Sequence, residues 1–327
     1  MRSVYIFVLL IFVLGSRALG QAHPPEAPSE IVSGEVVPFV AYWSVGDRFE
    51  YKIRKIEIRW EDDILVKSDT ISRDIQFEVI DSSETMYKVK WRFKRPKRNE
   101  GIAKNLFNAI TKEDRYTTVI YTTNELGEFV GVENWKEIRK NMIEDVEITV
   151  RRKFGKYLGS EEDVEEAMQP FREAYNTKEG IEELALKELF YFHFPMGYEY
   201  EVDEVYEYED FLDSFVGGEG MRGDARVTID NVDEDNGICR VTHEMQLNPE
   251  DAMRETILLL KQMGMATDEL DDTLKDAGLR VEDFNTFIYY YDYGLPMTIN
   301  TSRIIDLEVP GDSFRREEKY IIDLVKN

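Results

Sequence analysis

Three histidines are the side chains of this chain that could act as general bases near neutral pH: His23, His193 and His243. A hydrolytic site needs a nucleophile within reach of such a base. His23 lies in a Pro-rich stretch, whereas His243 shares an alternating strand face with Cys239 and Met245, which favours a hydrogen-bonded core residue. His193, between two phenylalanines, has the same interpretation. No Gly-x-Ser-x-Gly motif occurs, so no catalytic residue is predicted and we favour a non-enzymatic protein.

The patterns for metals and phosphates are weak. There is no His-x-x-x-His pair, and Cys239 is the single cysteine, so neither a zinc site nor an intramolecular disulfide can be built from cysteines. The acidic run 231–237 has the composition of a calcium loop, but alignment on Gly237 puts Val232 at the first ligand position. Asn236-Gly237 instead predicts a hairpin turn. The glycines at 217–220 lack the Lys-Ser/Thr of a phosphate loop. The sequence therefore predicts no metal and no cofactor.

Two sets of aromatic side chains are the candidate ligand-binding residues. Strand alternation places each set on one face, and their members are Tyr198, Tyr200, Tyr206, Tyr208, Phe287, Tyr289, Tyr291 and Tyr293. Tyrosine combines an apolar ring with a polar tip, which suits a groove for lipids, glycans or peptides. The alternative, which we favour, is a sheet face packed under helices.

A row of basic side chains on one strand is the candidate surface for an anionic partner; it comprises Lys88, Lys90, Arg92 and Lys94. Such a row could meet a phosphorylated lipid or an acidic polymer. The alternative is that neighbouring strands supply counter-charges. We favour pairing, because the chain has 66 acidic residues against 41 basic ones and a net charge of −25. The same excess argues against nucleic acid as a partner.

The N-terminus predicts export. Arg2 precedes an apolar run from Val4 to Leu14, and Ala18-Leu19-Gly20 has the small-x-small pattern of a cleavage site. We therefore expect a signal peptide over 1–20 that is removed, leaving a periplasmic or extracellular protein with no transmembrane anchor. The Pro-rich residues 21–38 predict a disordered leader.

The elements that must position these residues are mostly strands. Apolar and polar residues alternate around Phe49–Ile53, Ile75–Val79 and Tyr87–Phe93, as half-buried antiparallel strands do. After Arg54-Lys55 the alternation resumes one residue out of phase, which predicts a bulge there. Asn134, Ser160 and Asn248-Pro249 predict helix starts. The expected fold is α+β: a large twisted antiparallel sheet, curled into a half-barrel, with helices packed on one face.

The order of the strands suggests an internal duplication. Three segments of the first half resemble three segments of the second half in the same order. The segments around Phe49–Ile53, Ile75–Val79 and Thr118–Tyr121 correspond to those around Tyr198–Val202, Val227–Ile229 and Phe287–Tyr290, respectively. We accordingly predict a first β-rich half over 39–140, a helical connection over 141–190, and a second β-rich half over 191–327 with a helical insertion at 249–277.

Two motifs carry a family resemblance, namely the run Tyr42–Ile53 and the run Thr122–Phe129 followed by Asn134-Trp135. The chain resembles in these segments a family of uncharacterised secreted proteins of Bacteroidetes-type bacteria. Because the proteins of that family are secreted, the resemblance implies export. It implies no activity, because none is established for the family.

The function expected from these observations is binding of an apolar or amphipathic partner in the cell envelope, such as a lipid, a lipoprotein, a peptide or an envelope protein. A hydrolase acting on envelope glycans or peptides and a structural or docking module are the alternatives. An apolar cavity between sheet and helices would favour the first, and a polar cleft with clustered carboxylates the second.

Overall fold

The computed structural model describes residues 36–93, 118–154, 160–212, 214, 219–262, 277–309 and 311–325. The strands in these ranges are β1 (Val36–Pro38), β2 (Arg48–Glu61), β3 (Ile64–Ser82), β4 (Met86–Phe93), β5 (Thr118–Asn124), β6 (Phe129–Val132), β7 (Glu199–Glu201), β8 (Val205–Leu212), β9 (Met221–Asp233), β10 (Ile238–Leu247), β11 (Gly278–Tyr290), β12 (Leu295–Val309) and β13 (Asp312–Leu324). The helices are α1 (Trp135–Phe154), α2 (Glu161–Ala174), α3 (Lys178–Ala185), α4 (Lys187–His193) and α5 (Pro249–Gln262).

Eleven of these strands form one antiparallel sheet, as the alternation predicts. Its order is β6-β5-β4-β3-β2-β13-β12-β11-β10-β9-β8. Two runs of sequentially paired strands, β2 to β6 and β8 to β13, are joined by the pairing of β13 with β2. The end strands β6 and β8 each pair with a single neighbour in the described chain, so the sheet is not closed into a barrel.

The phase change in β2 is not a bulge at Arg54-Lys55. The pairing of β2 with β3 and with β13 runs without a break through that point, and the register of β2 with β3 shifts only between Arg59 and Trp60. Tyr51 and Ile53 are therefore buried on one face, whereas Ile56 and Ile58 turn toward the other. The expectation was wrong because a long strand in mid-sheet keeps its register from two neighbours, whatever its own pattern.

The core lies on one face of the sheet. In β11 every second residue from Leu279 to Tyr289 is buried, including the polar residues Asp283 and Asn285. Toward one end of this face, α4 contributes Leu189 and Phe192 to the main apolar cluster. Toward the other end, α5 contributes Ala252 to a second cluster with Leu279. The two helices thus cover different parts of the same face.

The helical segments differ slightly in extent from the predicted ranges. α1 begins at Trp135, and α4 continues to His193, so helix extends beyond both ends of 141–190. The predicted insertion 249–277 begins with α5, while 263–276 lies outside the described residues. Val36–Pro38, the end of the predicted leader, forms β1 and pairs with β7; the rest of the leader and the signal peptide lie outside the described residues.

One pairing expected from the duplication differs from the observed one. β7, at the predicted counterpart of Phe49–Ile53, pairs with β1 in a separate two-stranded sheet. β8, which follows it, is the strand that pairs with β9, as β2 pairs with β3. Sequence alternation cannot distinguish β7 from β8, because both have the pattern of a half-buried strand.

Candidate functional site

A groove of about 760 Å³ lies between α5 and the ends of β11 and β12. Its lining is made of residues that precede and follow the segment 263–276, which is outside the described chain. The lining residues are Pro249, Glu250, Met253, Arg254, Ile257, Ala277, Gly278, Leu279, Arg280, Asp306 and Glu308. Its volume falls within the range of small-molecule sites, about 300–1,000 Å³.

Polar residues of helix α5 anchor it to strand β9, while Met253 and Ile257 from its apolar side reach the groove. Asn248 caps the helix, because its Oδ1 accepts from the backbone N–H groups of Glu250 (3.0 Å) and Asp251 (3.1 Å). The buried carboxylate of Asp251 accepts from Arg222 Nε (2.7 Å) and Arg254 Nη1 (2.7 Å). Hydrogen bonding from Arg222 holds the pKa of Asp251 well below its usual range. This anchoring fixes which face of α5 meets the groove.

The buried side of α5 also binds residues between β8 and β9. Glu255 is buried, and its carboxylate accepts from Gly220 N (3.2 Å) and from the Ser214 hydroxyl. Met253 and Ile257, one helical turn apart, therefore line the groove. Leu279 and Ala277 line it from the side of the sheet. The groove thus has apolar walls on both sides.

Charged side chains occupy the margin of the groove. Arg280 donates to Asp306 Oδ2 at 2.6 Å and contacts Glu282 at 3.5 Å. Arg254 donates to Asp251 and to the carbonyl of Gly220, the latter at 2.8 Å. An apolar wall with a charged margin can accommodate an amphipathic molecule.

A row of charged side chains crosses the buried face between the two apolar clusters. Arg303 donates to both carboxylate oxygens of Asp283, at 2.6 and 2.5 Å. Glu318, on the next strand, accepts from Lys187 Nζ at 3.0 Å and from Arg316 Nη2 at 3.0 Å, and lies 2.9 Å from Lys55 Nζ.

The positive and negative charges in this row compensate one another. Burial alone would raise the pKa of Glu318, but the cations Lys187, Lys55 and Arg316 more than offset it and hold that pKa well below its usual range. Buried ions need such partners, since an unpaired one would cost several kcal/mol. We therefore assign the row a structural role.

Both described histidines are buried. Nδ1 of His193 donates to the Gly127 carbonyl (2.8 Å) and its Nε2 accepts from the Tyr121 hydroxyl (2.9 Å). Asn285 Nδ2 donates to Nδ1 of His243 (2.9 Å). Burial lowers the pKa of each histidine to about 4. The surroundings are those of core histidines, in agreement with the favoured interpretation of the sequence.

The aromatic residues singled out from the sequence do not line this groove. Phe287 and Tyr289 are fully buried: Phe287 stacks on Phe194 with ring centres 5.1 Å apart, and the Tyr289 hydroxyl donates to the Phe192 carbonyl. Tyr291 is partly buried, and Tyr293, 37% exposed, stacks on Tyr290.

The other aromatic set lies along the same core. Tyr200 and Tyr206 are buried with ring centres 5.2 Å apart, and the Tyr206 hydroxyl accepts from Glu201 N at 2.9 Å. Tyr198 and Tyr208 are partly buried against the main cluster. Apart from Tyr293, the residues of both sets lie in the main apolar cluster or pack against it.

The basic row has partners in the described structure. Lys88 Nζ lies 2.6 Å from Glu133 Oε2, and Lys90 Nζ lies 3.8 Å from Glu78 Oε2 on the adjacent strand. Arg92 is exposed and contributes to lowering the pKa of Glu78, after the larger effect of Arg48. Lys94 lies outside the described residues. The geometry therefore supports pairing across the sheet for Lys88 and Lys90.

Sequence reasoning found only part of the groove. Met253 and Ile257 appear in the sequence as an apolar stripe of a helix that begins at Asn248. No sequence pattern marks Arg280, Asp306 and Glu308 as groove residues, because they occupy ordinary outward-facing positions of long strands. Only the packing of α5 at the ends of β11 and β12 brings them together. Among the described residues, no group of three or more His, Cys, Asp or Glu has the arrangement of a metal site.

Comparisons with known proteins give little. No family model and no curated protein matches the chain. Among solved structures, the chain is similar to one of lipovitellin concerned with lipid–protein interactions, with a TM-score of 0.41 and 6% identity over 86% of this chain and 25% of that one. The chain thus corresponds to about a quarter of the length of that structure. A likeness this low carries no argument here.

Proposed function

We propose that this is an exported, non-enzymatic protein that binds an apolar or amphipathic partner of the cell envelope in the groove between α5 and the sheet. The groove itself carries the proposal, because its volume of about 760 Å³ can take a lipid-sized ligand. Met253, Ile257 and Leu279 would remove the apolar part of such a ligand from water, at about 25 cal/mol per Å² of buried surface.

The proposal also includes export, membership of a family and two features of the fold. Export to the periplasm or the exterior rests on the N-terminal pattern, and membership of the Bacteroidetes family rests on the segments Tyr42–Ile53 and Thr122–Phe129. A half-barrel curvature and an origin by duplication are further parts of it, suggested by the two runs of sequentially paired strands.

The test uses the mature chain and 1-N-phenylnaphthylamine, a neutral dye whose fluorescence rises in apolar surroundings. We expect saturable binding by the unmodified protein. Ile257→Trp fills the groove and should weaken binding at least tenfold. Ile148→Trp is the matched control, because Ile148 is an exposed residue of helix α1, away from the groove.

Circular dichroism and thermal melting should show that both variants remain folded. Absence of saturable dye binding to the unmodified protein would overturn the proposal. Equal binding by the two tryptophan variants would also overturn it, since the dye would then bind elsewhere.

A further inference from the structure

The margin of the groove has more negative than positive charge. Its lining contains the cations Arg254 and Arg280 and the anions Glu250, Asp306 and Glu308. Each arginine already has a carboxylate partner, because Arg280 binds Asp306 at 2.6 Å and Arg254 binds Asp251 at 2.7 Å. An anionic ligand would therefore have to compete with a carboxylate of the protein for either arginine.

The two glutamates differ from the two arginines in this respect. Glu250 and Glu308 are exposed, and among the described residues neither side chain has a cation within ion-pair distance. Glu250 is in the first turn of α5, and Glu308 is near the end of β12. They therefore present negative charge at the groove while its walls present Met253 and Ile257.

From this charge pattern we propose that the ligand of the groove is a single-chain amphiphile with a cationic, ammonium-type head group. This inference rests on the proposed function. The alkyl chain lies between α5 and Leu279, and the head group lies near Glu250 and Glu308. An anionic head group would be repelled by both glutamates and would have to displace Asp306 or Asp251 from its arginine. The net charge of −25 favours the same sign of ligand over a longer range.

The experiment measures displacement of bound 1-N-phenylnaphthylamine by three amphiphiles with the same ten-carbon chain. They are decyltrimethylammonium, decanoate and decyl maltoside, each used below its micelle concentration in low salt. We expect the cation to displace the dye at about one-tenth of the concentration that decanoate needs, with the maltoside between them. Added salt should narrow the gap, because the glutamates are exposed to solvent.

The variant Glu250→Gln/Glu308→Gln removes two charges with little change in shape. We expect it to lose most of the preference for the cation, measured in the same variant as the ratio of the decyltrimethylammonium and decanoate concentrations that displace the dye. Glu162→Gln/Glu166→Gln on α2 is the matched control, because it changes the net charge equally at two exposed positions away from the groove. That variant should keep the preference.

The outcomes separate this inference from the proposed function. If all three amphiphiles displace the dye equally, or if decanoate is the strongest competitor, the groove binds amphiphiles but the inferred charge is wrong. Equal effects of the two double variants would also overturn the inferred charge, since only the net charge would then matter. If none of the three displaces the dye, both the inference and the proposed function fail.

Discussion

Burial decides the chemistry of individual residues in this protein. His193 is 5% exposed and both of its ring nitrogens are hydrogen-bonded, to Gly127 and Tyr121. Desolvation lowers the pKa of His193 to about 4 from an ordinary value of 6.5, although the bond to Gly127 acts in the opposite direction. A histidine in this environment stays neutral in the folded protein at neutral and mildly acidic pH.

The stability of the protein should therefore fall as the pH drops below 6.5. Between the unfolded pKa of 6.5 and the folded pKa of about 4, the unfolded chain binds a proton that folded His193 does not. Stability from this source is fully present above pH 6.5 and is lost as the pH falls toward 4. Between pH 7.5 and pH 5 the loss due to His193 is about 2 kcal/mol.

Urea denaturation of His193→Gln at pH 7.5 and pH 5 checks this expectation. The variant will be less stable than the unmodified protein at pH 7.5, because Tyr121 and Gly127 lose well-placed partners. Its stability should nevertheless depend less on pH, by about 2 kcal/mol over this interval. His23→Gln, in the predicted leader, should leave the pH dependence unchanged. An undiminished dependence in His193→Gln would contradict the role assigned to this histidine.

At the scale of the elements, α5 depends on its cap as well as on its packing. Asn248→Ala removes the acceptor for two backbone N–H groups and should lower the free energy of unfolding by about 0.5–2 kcal/mol. Because α5 forms one wall of the groove, we also expect weaker binding of 1-N-phenylnaphthylamine.

Ser160→Ala is the matched control for that prediction. Ser160 caps α2, and its Oγ accepts from Asp163 N at 3.2 Å. This variant should lose a similar amount of stability and keep normal dye binding. Equal dye binding by Asn248→Ala and Ser160→Ala would show that the start of α5 does not shape the groove.

The basic row on β4 gives a second prediction at this scale. Reversal of Lys88, Lys90 and Arg92 to glutamate would place like charges beside Glu133 and Glu78, so thermal stability should fall in low salt and recover in part as salt is added. If stability is unchanged while binding to vesicles that contain anionic lipid disappears, the row serves an anionic partner instead.

A charge exchange provides the control for the basic row. Lys88→Glu combined with Glu133→Lys restores the pair that is 2.6 Å apart in the unmodified protein. The exchanged protein should be more stable than Lys88→Glu alone, by up to about 1 kcal/mol for a pair this exposed. No difference between them would mean that the pair contributes nothing measurable.

At the scale of the whole molecule, the open sheet and the charge of −25 are the main features. Of the helices in the described ranges, none has both the length and the apolar composition of a membrane span. The apolar run in the predicted signal peptide lies outside those ranges, so export has to be tested on the cell.

We expect cleavage after Gly20, or after Ala22 as the second choice, because both sites have the required small residues. Intact mass spectrometry of the protein from the periplasmic and culture fractions, after expression in a Gram-negative host, will identify the new N-terminus. A chain that is recovered only from the cytoplasm with Met1 in place would contradict export.

The sequence alone determined most of the local structure. Alternation predicted the strands around Tyr51, Phe77 and Trp91, because a strand with one buried face must repeat its apolar residues every second position. Capping residues predicted the starts of α2 and α5, because the first backbone N–H groups of a helix need acceptors nearby in the chain. These signals are local, so they can be read without knowing the fold.

Only the tertiary structure decided which residues and elements lie next to each other. The expected bulge at Arg54-Lys55 is absent because the neighbouring strands β3 and β13 set the register of β2. The groove exists because α5 packs at the ends of β11 and β12, which brings Ile257 near Leu279 and Asp306. Likewise, Asp283 and Arg303 look like breaks in apolar patterns until adjacent strands place them opposite each other. Contacts between residues far apart in the chain depend on strand order and helix docking, and neither is encoded in the periodicity of one segment.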